Sequence, residues 1–276
     1  MNGKACMVTG ANSGIGFATA EGLAGQGARV ILVCRNPERG EEARRKIAKV
    51  TGNDDVALLV ADLSSQQEIR RLAQRFLERY DKLDVLVNNA GGLFRRKEIN
   101  ADGFEMTFAV NYLAPFLLTH LLLDSLKASG SGRIVNVASI MQAKRFVPEE
   151  AARPTRYSSM NAYKEAKLAV LLMTYGMAER LSGSGVTANA LHPGAVYTPQ
   201  SARSAPAFAR PLMRLFMRTP EQGARMPLYL ATSPDAAGIN GKYFKDGKET
   251  VTVPLSYDAE LQEDLYRKSL QWTGLR

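Results

Sequence analysis

Thr9-Gly10-Ala11-Asn12-Ser13-Gly14-Ile15-Gly16 is the stretch whose reading decides the fold. The apolar run Ala5–Thr9 leads into it, and a helical stretch from about Ile15 to Gly25 leaves it. A glycine-rich turn between a strand and a helix is the setting in which backbone N–H groups bind phosphate. Gly10 allows the tight turn, Gly14 lets the backbone approach a pyrophosphate, and Gly16 lets helix and strand pack closely. The helix N-terminus adds unpaired N–H groups and a partial positive charge. The glycine spacing is G-x-x-x-G-x-G rather than G-x-G-x-x-G. The bland alternative is a plain strand-to-helix turn.

Outward from this turn the chain alternates. Short apolar runs at Arg29–Val33, Val56–Val60, Asp84–Val87, Arg133–Ala138 and Val186–Leu191 read as strands. Between them, Pro37–Val50, Gln66–Tyr80, Phe104–Leu126 and Asn161–Leu181 read as helices, with Ile69, Leu72, Phe76 and Leu77 on one face of the second. Continuous apolar strands separated by helices predict an α/β fold with a mostly parallel sheet covered on both faces. No Pro/Gly/Ser-rich linker divides the 276 residues, so a single domain over 1–276 is expected.

Composition narrows the function. The chain is 45% hydrophobic and 23% charged, as a soluble globular protein is. Its net charge of +9 comes from dispersed Lys and Arg without a nucleic-acid-binding signature, so no nucleic-acid partner is expected. Cys6 and Cys34 sit in separate apolar runs and read as buried free thiols of a reducing compartment. The longest apolar stretch, Leu113 to Leu123, is too short to span a bilayer, and no secretory signal is read at Met1, so a cytoplasmic location is expected. No His/Asp/Cys cluster suggests a metal, and His120 and His192 read as structural.

Several positions carry chemistry. Cys34-Arg35 ends the second strand without the carboxylate that would repel a ribose 2′-phosphate. Arg35, assisted by Arg39, can grip that phosphate, which favours NADP(H) over NAD(H); a surface arginine is the alternative. Asp62 follows the third strand and suits an adenine amino group, or else a helix cap that Ser64 fills instead. Asn88-Asn89-Ala90-Gly91 ends the fourth strand with small residues and an amide that ties strands together. Tyr163-Lys164-Glu165-Ala166-Lys167 places a phenol and an ammonium at i and i+4 on one helical face. The cation is expected to pull the tyrosine pKa down from about 10 towards neutrality.

In this order, Thr9–Gly16, Asp62, Asn88–Gly91, Asn111, Ser139, Tyr163, Lys167 and Pro193-Gly194 with Thr198 resemble the short-chain dehydrogenase/reductase family over roughly residues 4 to 198. Cys34-Arg35, the long gap from Ser139 to Tyr163, His192-Pro193-Gly194 and Gly241-Lys242-Tyr243-Phe244 bring the likeness closer to the retinol dehydrogenase-like, NADP-preferring reductases. The resemblance implies a single doubly wound Rossmann-type domain with a seven-stranded sheet. Residues 1–130 would form mainly the cofactor half, and 131–276 the catalytic and substrate half with a lid at about 195–220. It implies a cofactor site at Gly10, Asn12, Ser13, Gly14, Ile15, Gly16, Arg35, Arg39, Asp62, Leu63, Asn89, Ala90, Gly91, Tyr163, Lys167, Pro193, Gly194, Val196 and Thr198. Tyr163 would be the general acid that protonates a carbonyl oxygen as hydride arrives, and the base in the reverse direction. Lys167 would lower its pKa and hold the nicotinamide ribose, Ser139 would bond the substrate oxygen, and Asn111 would bind a water that relays protons to Lys167.

The resemblance therefore implies an enzyme interconverting a small-molecule carbonyl and alcohol. The rival readings are an NAD-linked alcohol dehydrogenase of the same family and a non-catalytic NADP(H)-sensing protein. Ser158 and Ser159 read as caps of the Tyr163 helix. Ile140–Ser158 is an insertion relative to the shortest relatives. Ser201–Arg225 spaces Arg210, Arg214 and Arg218 by four among apolar residues and reads either as a substrate lid or as a helix that meets an anionic membrane. Monomer, homodimer and homotetramer all stay open.

Overall fold

The structure, a computed structural model, describes residues 1–198 and 216–275. Its strands are β1 (Ala5–Thr9), β2 (Arg29–Cys34), β3 (Val56–Val60), β4 (Val85–Asn88), β5 (Arg133–Val137), β6 (Thr187–His192), β7 (Tyr243–Lys245) and β8 (Lys248–Glu249). They form one sheet in the order β3-β2-β1-β4-β5-β6-β7-β8. The first seven run parallel; only β8 is antiparallel, returning from β7 through Asp246-Gly247. Seven strands were expected, and the eighth is this exposed two-residue polar hairpin, which has no hydrophobic signal to read.

The helices are α1 (Gly14–Gly25), α2 (Pro37–Thr51), α3 (Gln66–Leu77), α4 (Met106–Phe108, Ala109–Leu113 and Ala114–Leu121), α5 (Leu123–Ala128), α6 (Pro148–Ala152), α7 (Ser159–Arg180), α8 (Pro220–Thr232) and α9 (Ala259–Thr273). Successive strand residues point to opposite faces of the sheet. Met7, Ile31, Val33, Leu86 and Ile134 pack under α3, α4, α7 and α9. Val8, Val30, Leu32, Val87 and Val135 pack under α1, α2 and α8. A core on both faces explains why β1, β2 and β4 read as unbroken apolar runs. Asp84, 2% exposed, fixes the centre of the sheet: it accepts the Ala5 N–H and the Lys4 ammonium, each at 2.8 Å.

Three local expectations change. The single helix read over Phe104–Leu126 is instead a short α-turn, a π-helical stretch at Ala109–Leu113, and two α segments that meet at Leu122. Leu77 is 48% exposed; the buried stripe of α3 is Ile69, Leu72, Ala73 and Phe76. Helix α9 was not anticipated, and α8 begins at Pro220, so it shares only its first turns with the Ser201–Arg225 stretch. The second half of α9 lies across the first half of the molecule: Trp272 meets Phe104 and Phe108, Tyr112 Oη and Ser269 Oγ are 2.7 Å apart, and Gln66 Nε2 donates to the Trp272 carbonyl at 3.0 Å. Phe108, Tyr112 and Phe116 are thereby fully buried, each contributing on the order of 2 kcal/mol.

Candidate active site

The predicted cofactor residues line the carboxyl ends of the strands in spatial sequence: Asp62 and Leu63 beyond β3, Arg35 and Arg39 beyond β2, Gly10–Gly16 beyond β1, Asn89–Gly91 beyond β4, Ser139 beyond β5, and Pro193–Thr198 beyond β6. Strand order reverses between β1 and β4, the point at which open α/β sheets hold ligands.

The glycine turn is built for close approach. A Cβ at Gly16 would lie 2.4 Å from both Asn89 Nδ2 and the Gly10 carbonyl oxygen, so only glycine lets α1 seat on β1 and β4. Gly14 has φ +57, a left-handed conformation, and its Cα faces Thr198, where a Cβ would be 3.0 Å from Cγ2. Ser13 precedes α1 without a side-chain cap, and the first turn carries no acid. The N–H groups and positive end of this helix are thus left for an anion. Asn89 donates to the Thr9 carbonyl at 2.7 Å. Thr9, not among the expected cofactor residues, accepts from the Asn89 and Ala90 N–H groups at 3.0 and 2.9 Å and so shapes their turn. Its only signal was its place at a strand end.

At the adenosine end, Arg35 and Arg39 are exposed, and the Asn36 side chain caps α2 by accepting the Arg39 N–H at 2.7 Å. Cys34 lies under the turn and accepts from the Ala11 and Asn12 backbone. Burial pushes the Cys34 thiol up to about 11 and the Cys6 thiol up to about 12, so both stay protonated and unreactive. Asp62 Oδ1 accepts the Ser64 N–H and hydroxyl at 2.9 and 2.8 Å. Neither of them caps α3; Ser65 does, by accepting the Glu68 N–H.

Tyr163, Ser139, Lys167 and Asn111 converge where β4, β5 and α7 meet. Ser139 is 4% exposed and hydrogen-bonds the Tyr163 phenol, while its Oγ accepts the Met141 N–H at 3.1 Å. The expected lowering of the Tyr163 pKa is not seen. Burial raises it, the Ser139 bond partly offsets this, and the net shift is upward. The Lys167 ammonium is aimed elsewhere: it donates to the Val137 carbonyl at 2.8 Å and sits 5.7 Å from the centre of the phenol ring. A Cβ at Gly91 would come within 2.6 Å of Asn111 Oδ1 and 3.5 Å of Lys167 Nζ, so the absent side chain keeps this corner open.

Asn111 differs from expectation too. Its amide is fully used by protein, donating to the Gly92 and Thr107 carbonyls at 2.8 and 2.7 Å and accepting the Gly92 N–H at 3.1 Å. Its main-chain carbonyl lacks the usual i+4 partner. The residue four places on is Pro115, which has no N–H to donate. The π-helical stretch, in which Ala114 donates to the Ala109 carbonyl, lies at this position.

Lys167 supports a pH prediction. Burial pushes its pKa down to about 8 from the usual 10.5. The unfolded chain therefore binds more protons between these values, and this group makes stability rise with pH from about 8 to 10.5, by at most about 3 kcal/mol. Lys167→Met should lack that increment. Urea unfolding of both proteins at pH 7.5 and 9.5 checks it: an equal change in the two would refute the shift.

Among the remaining residues, Ser158 holds the cap position of α7 but its hydroxyl makes no cap bond, and Ser159 is the first helical residue. His120 is packed as expected, its Nδ1 2.8 Å from the Phe116 carbonyl and its Nε2 3.2 Å from Tyr266 Oη. His192 is held neutral by burial, its pKa pushed down to about 4, and its Nδ1 has no hydrogen-bond partner among the described residues. It faces a cavity of about 620 Å³ lined also by Pro193, Tyr229 and Asp246. Arg210 and Arg214, like all of 199–215, lie outside the described residues. Arg218, read as part of their helical stripe, instead pairs alongside Val196, lies against Gly194 and forms an ion pair with Asp246 at 2.6 Å. Gln142 was also missed: it ties the Ser139 carbonyl to the Val253 N–H. The described residues contain no group of side chains suited to a metal ion.

Residues 4–207 match the family model described as short chain dehydrogenase. Human retinol dehydrogenase 13 is 38% identical over 99% of this chain and 85% of its own. A structure described as an uncharacterized protein from Mycobacterium paratuberculosis superposes with a TM-score of 0.80 at 31% identity, covering 99% of this chain and 94% of that one. Another, described as an NAD(P)-dependent gluconate 5-dehydrogenase from Beutenbergia cavernae with bound NADP, gives 0.72 at 30% identity, covering 88% and 95%.

Proposed function

We propose, starting from the fact that this chain belongs to the short-chain dehydrogenase family and is an oxidoreductase, that it is an NADP(H)-dependent enzyme interconverting an aldehyde or ketone with its alcohol. The observation that carries this reading is the convergence of Ser139, Tyr163 and Lys167 beside a glycine turn in which Gly16 admits no side chain. The cradle fits a dinucleotide: Gly16 and Gly91 are positions a Cβ would block, and the uncapped start of α1 suits a pyrophosphate. When bound, NADP(H) supplies or accepts the hydride.

The protein's own groups do the rest. Tyr163 holds its proton at neutral pH, because burial raises its pKa, and is therefore set to act as a donor to a carbonyl oxygen. Ser139 orients the phenol and shares the substrate oxygen, stabilising charge as it develops. Lys167, at the back of the corner, donates one N–H to the Val137 carbonyl and has spare N–H donors for ribose hydroxyls.

The preference for NADP(H) rests on Arg35, exposed at the end of β2 with no acid beside it. Arg35→Asp should raise the KM for NADPH at least tenfold, by removing a charge-assisted contact and adding a repulsion, while leaving the KM for NADH unchanged or lower. Equal KM values for NADPH in the two proteins would mean that Arg35 does not read the 2′-phosphate.

A further inference from the structure

Ser139 is held beside Tyr163 by more than the bond between them. Gln142, half-buried on the loop that follows Ser139, spans two backbone groups. Its Nε2 donates to the Ser139 carbonyl at 3.2 Å, and its Oε1 accepts the Val253 N–H at 2.9 Å. A carbonyl needs a donor and an N–H needs an acceptor; a side-chain amide supplies both from one rigid plane. The two partners therefore fix which way the amide faces.

The far end of this tie is itself anchored. The Val253 carbonyl accepts the Ser256 hydroxyl at 2.7 Å. Ser256 Oγ lies 2.6 Å from Thr252 Oγ1, which lies 2.9 Å from Tyr175 Oη. Because Ser256 uses its proton on Val253, each earlier hydroxyl donates to the next: Tyr175 to Thr252, and Thr252 to Ser256. Tyr257 stacks on Tyr175 with ring centres 5.0 Å apart and accepts the Thr252 N–H at 3.0 Å. Gln262 of α9 donates to the Ser256 carbonyl at 2.8 Å, and Ser256 is fully buried. Tyr175 belongs to α7, the helix that also carries Tyr163. Ser139 is thus joined to that helix twice, once through its hydroxyl and once through its main chain.

The second route matters when substrate is present. In the carbonyl–alcohol reading given above, on which this inference rests, the substrate oxygen bonds both the Ser139 hydroxyl and the Tyr163 phenol. It then takes the place of their direct bond, which no longer holds the two apart at a set distance. The tie through Gln142 uses neither hydroxyl and stays intact. We propose that Gln142 is a positioning residue of the reaction: by fixing the Ser139 main chain to Val253, and through Tyr175 to α7, it keeps the two hydroxyls at the spacing a carbonyl oxygen needs. Donors aimed at developing charge act only while that geometry is kept. The Tyr243 phenol stands beside Gln142, 2% exposed, and its Oη has no hydrogen-bond partner among the described residues. It lines the same wall without joining the tie, which makes it a control.

Single-turnover hydride transfer from NADPH to the fastest aldehyde of a panel, expressed per NADPH-binding site, tests the proposal. Gln142→Leu keeps the bulk and removes both bonds; it should slow transfer roughly ten- to a hundredfold, with the NADPH Kd within about threefold of wild type. Val253→Pro breaks the tie from its other end. Val253 has φ −59°, which proline adopts, so the backbone path is kept while the N–H is lost. This variant should slow transfer by at least about fivefold. The double variant should match Gln142→Leu within about twofold, because both changes remove one tie. Tyr243→Phe, which removes an unpaired hydroxyl, should stay within about twofold of wild type. A Gln142→Leu rate within about threefold of wild type overturns the proposal. So do losses that multiply in the double variant, a parallel loss of NADPH affinity, or an equal loss in Tyr243→Phe. Tyr163→Phe separates this proposal from the reading beneath it. Turnover retained there removes the carbonyl–alcohol reading itself, whereas an inactive Tyr163→Phe beside a fully active Gln142→Leu removes only the role of Gln142.

Discussion

Tyr163→Phe is expected to lower kcat by roughly a thousandfold or more, the range in which a positioned general acid contributes, while the NADPH dissociation constant stays within about threefold of wild type. The physical basis is specific. The phenol is half-buried and hydrogen-bonded to Ser139, and desolvation biases it towards its protonated form. Phenylalanine keeps the ring and removes only the proton donor. Its loss cannot be made good by Lys167, whose ammonium is directed to the Val137 carbonyl. Stopped-flow or steady-state NADPH oxidation with an aldehyde panel, together with cofactor fluorescence titration, reads both quantities. Turnover within tenfold of wild type would remove Tyr163 from the reaction.

The second large effect concerns the cofactor cradle. Gly16→Ala places a methyl 2.4 Å from a backbone oxygen, that of Gly10, and from Asn89 Nδ2. The backbone oxygen cannot rotate away, so α1 must lift from the sheet. Overpacking of this kind costs ~1–3 kcal/mol, and the Asn89-to-Thr9 bond lost with it about 1 kcal/mol more. For a chain of this size that total lowers Tm by about 10 °C. Cofactor affinity falls as well, because the N–H groups at the start of α1 move with the helix. Gly25→Ala is the control. It lies at the other end of the same helix, where a Cβ would meet only Thr51 Cγ2 at 3.8 Å, and it should be neutral or slightly stabilising. Thermal unfolding of the two variants side by side distinguishes a blocked close approach from a general dislike of change in α1; similar Tm values for both would refute the packing argument.

Much of this molecule is legible in its sequence because its strands are buried on both faces. Such strands announce themselves as unbroken apolar runs, and β1 to β6 lie within a residue or two of where those runs end. The order of site residues is legible for a related reason: each follows a strand, and a parallel sheet brings all strand ends to one edge. What is not legible is what depends on contact rather than position. Pro115 and the π-helical stretch deprive the Asn111 carbonyl of its usual i+4 partner while protein groups engage its side chain, and no periodicity reveals that. The orientation of Lys167 towards Val137 is set by a carbonyl thirty residues away. Arg218 repeats at helical spacing with Arg210 and Arg214, yet its partner is Asp246, across a turn that comes later in the chain. Leu77 fits an apolar stripe drawn by eye and falls just outside the one that α3 buries.

Helix α9 has a consequence for how the chain is made. In chain order it follows every element it covers, and its partners on α3 and α4 lie some 150 to 210 residues upstream. During synthesis the sheet and its first helices can assemble while the α9-facing sides of Phe108, Tyr112 and Phe116 remain bare. Contacts of such high sequence separation form slowly, and apolar surface left waiting for them is where nascent chains associate. The seam between Trp272 and the Phe104–Phe108 turn is thus a vulnerable step in biogenesis: substitutions there should reduce the yield of soluble protein before they alter the chemistry of any molecule that completes folding.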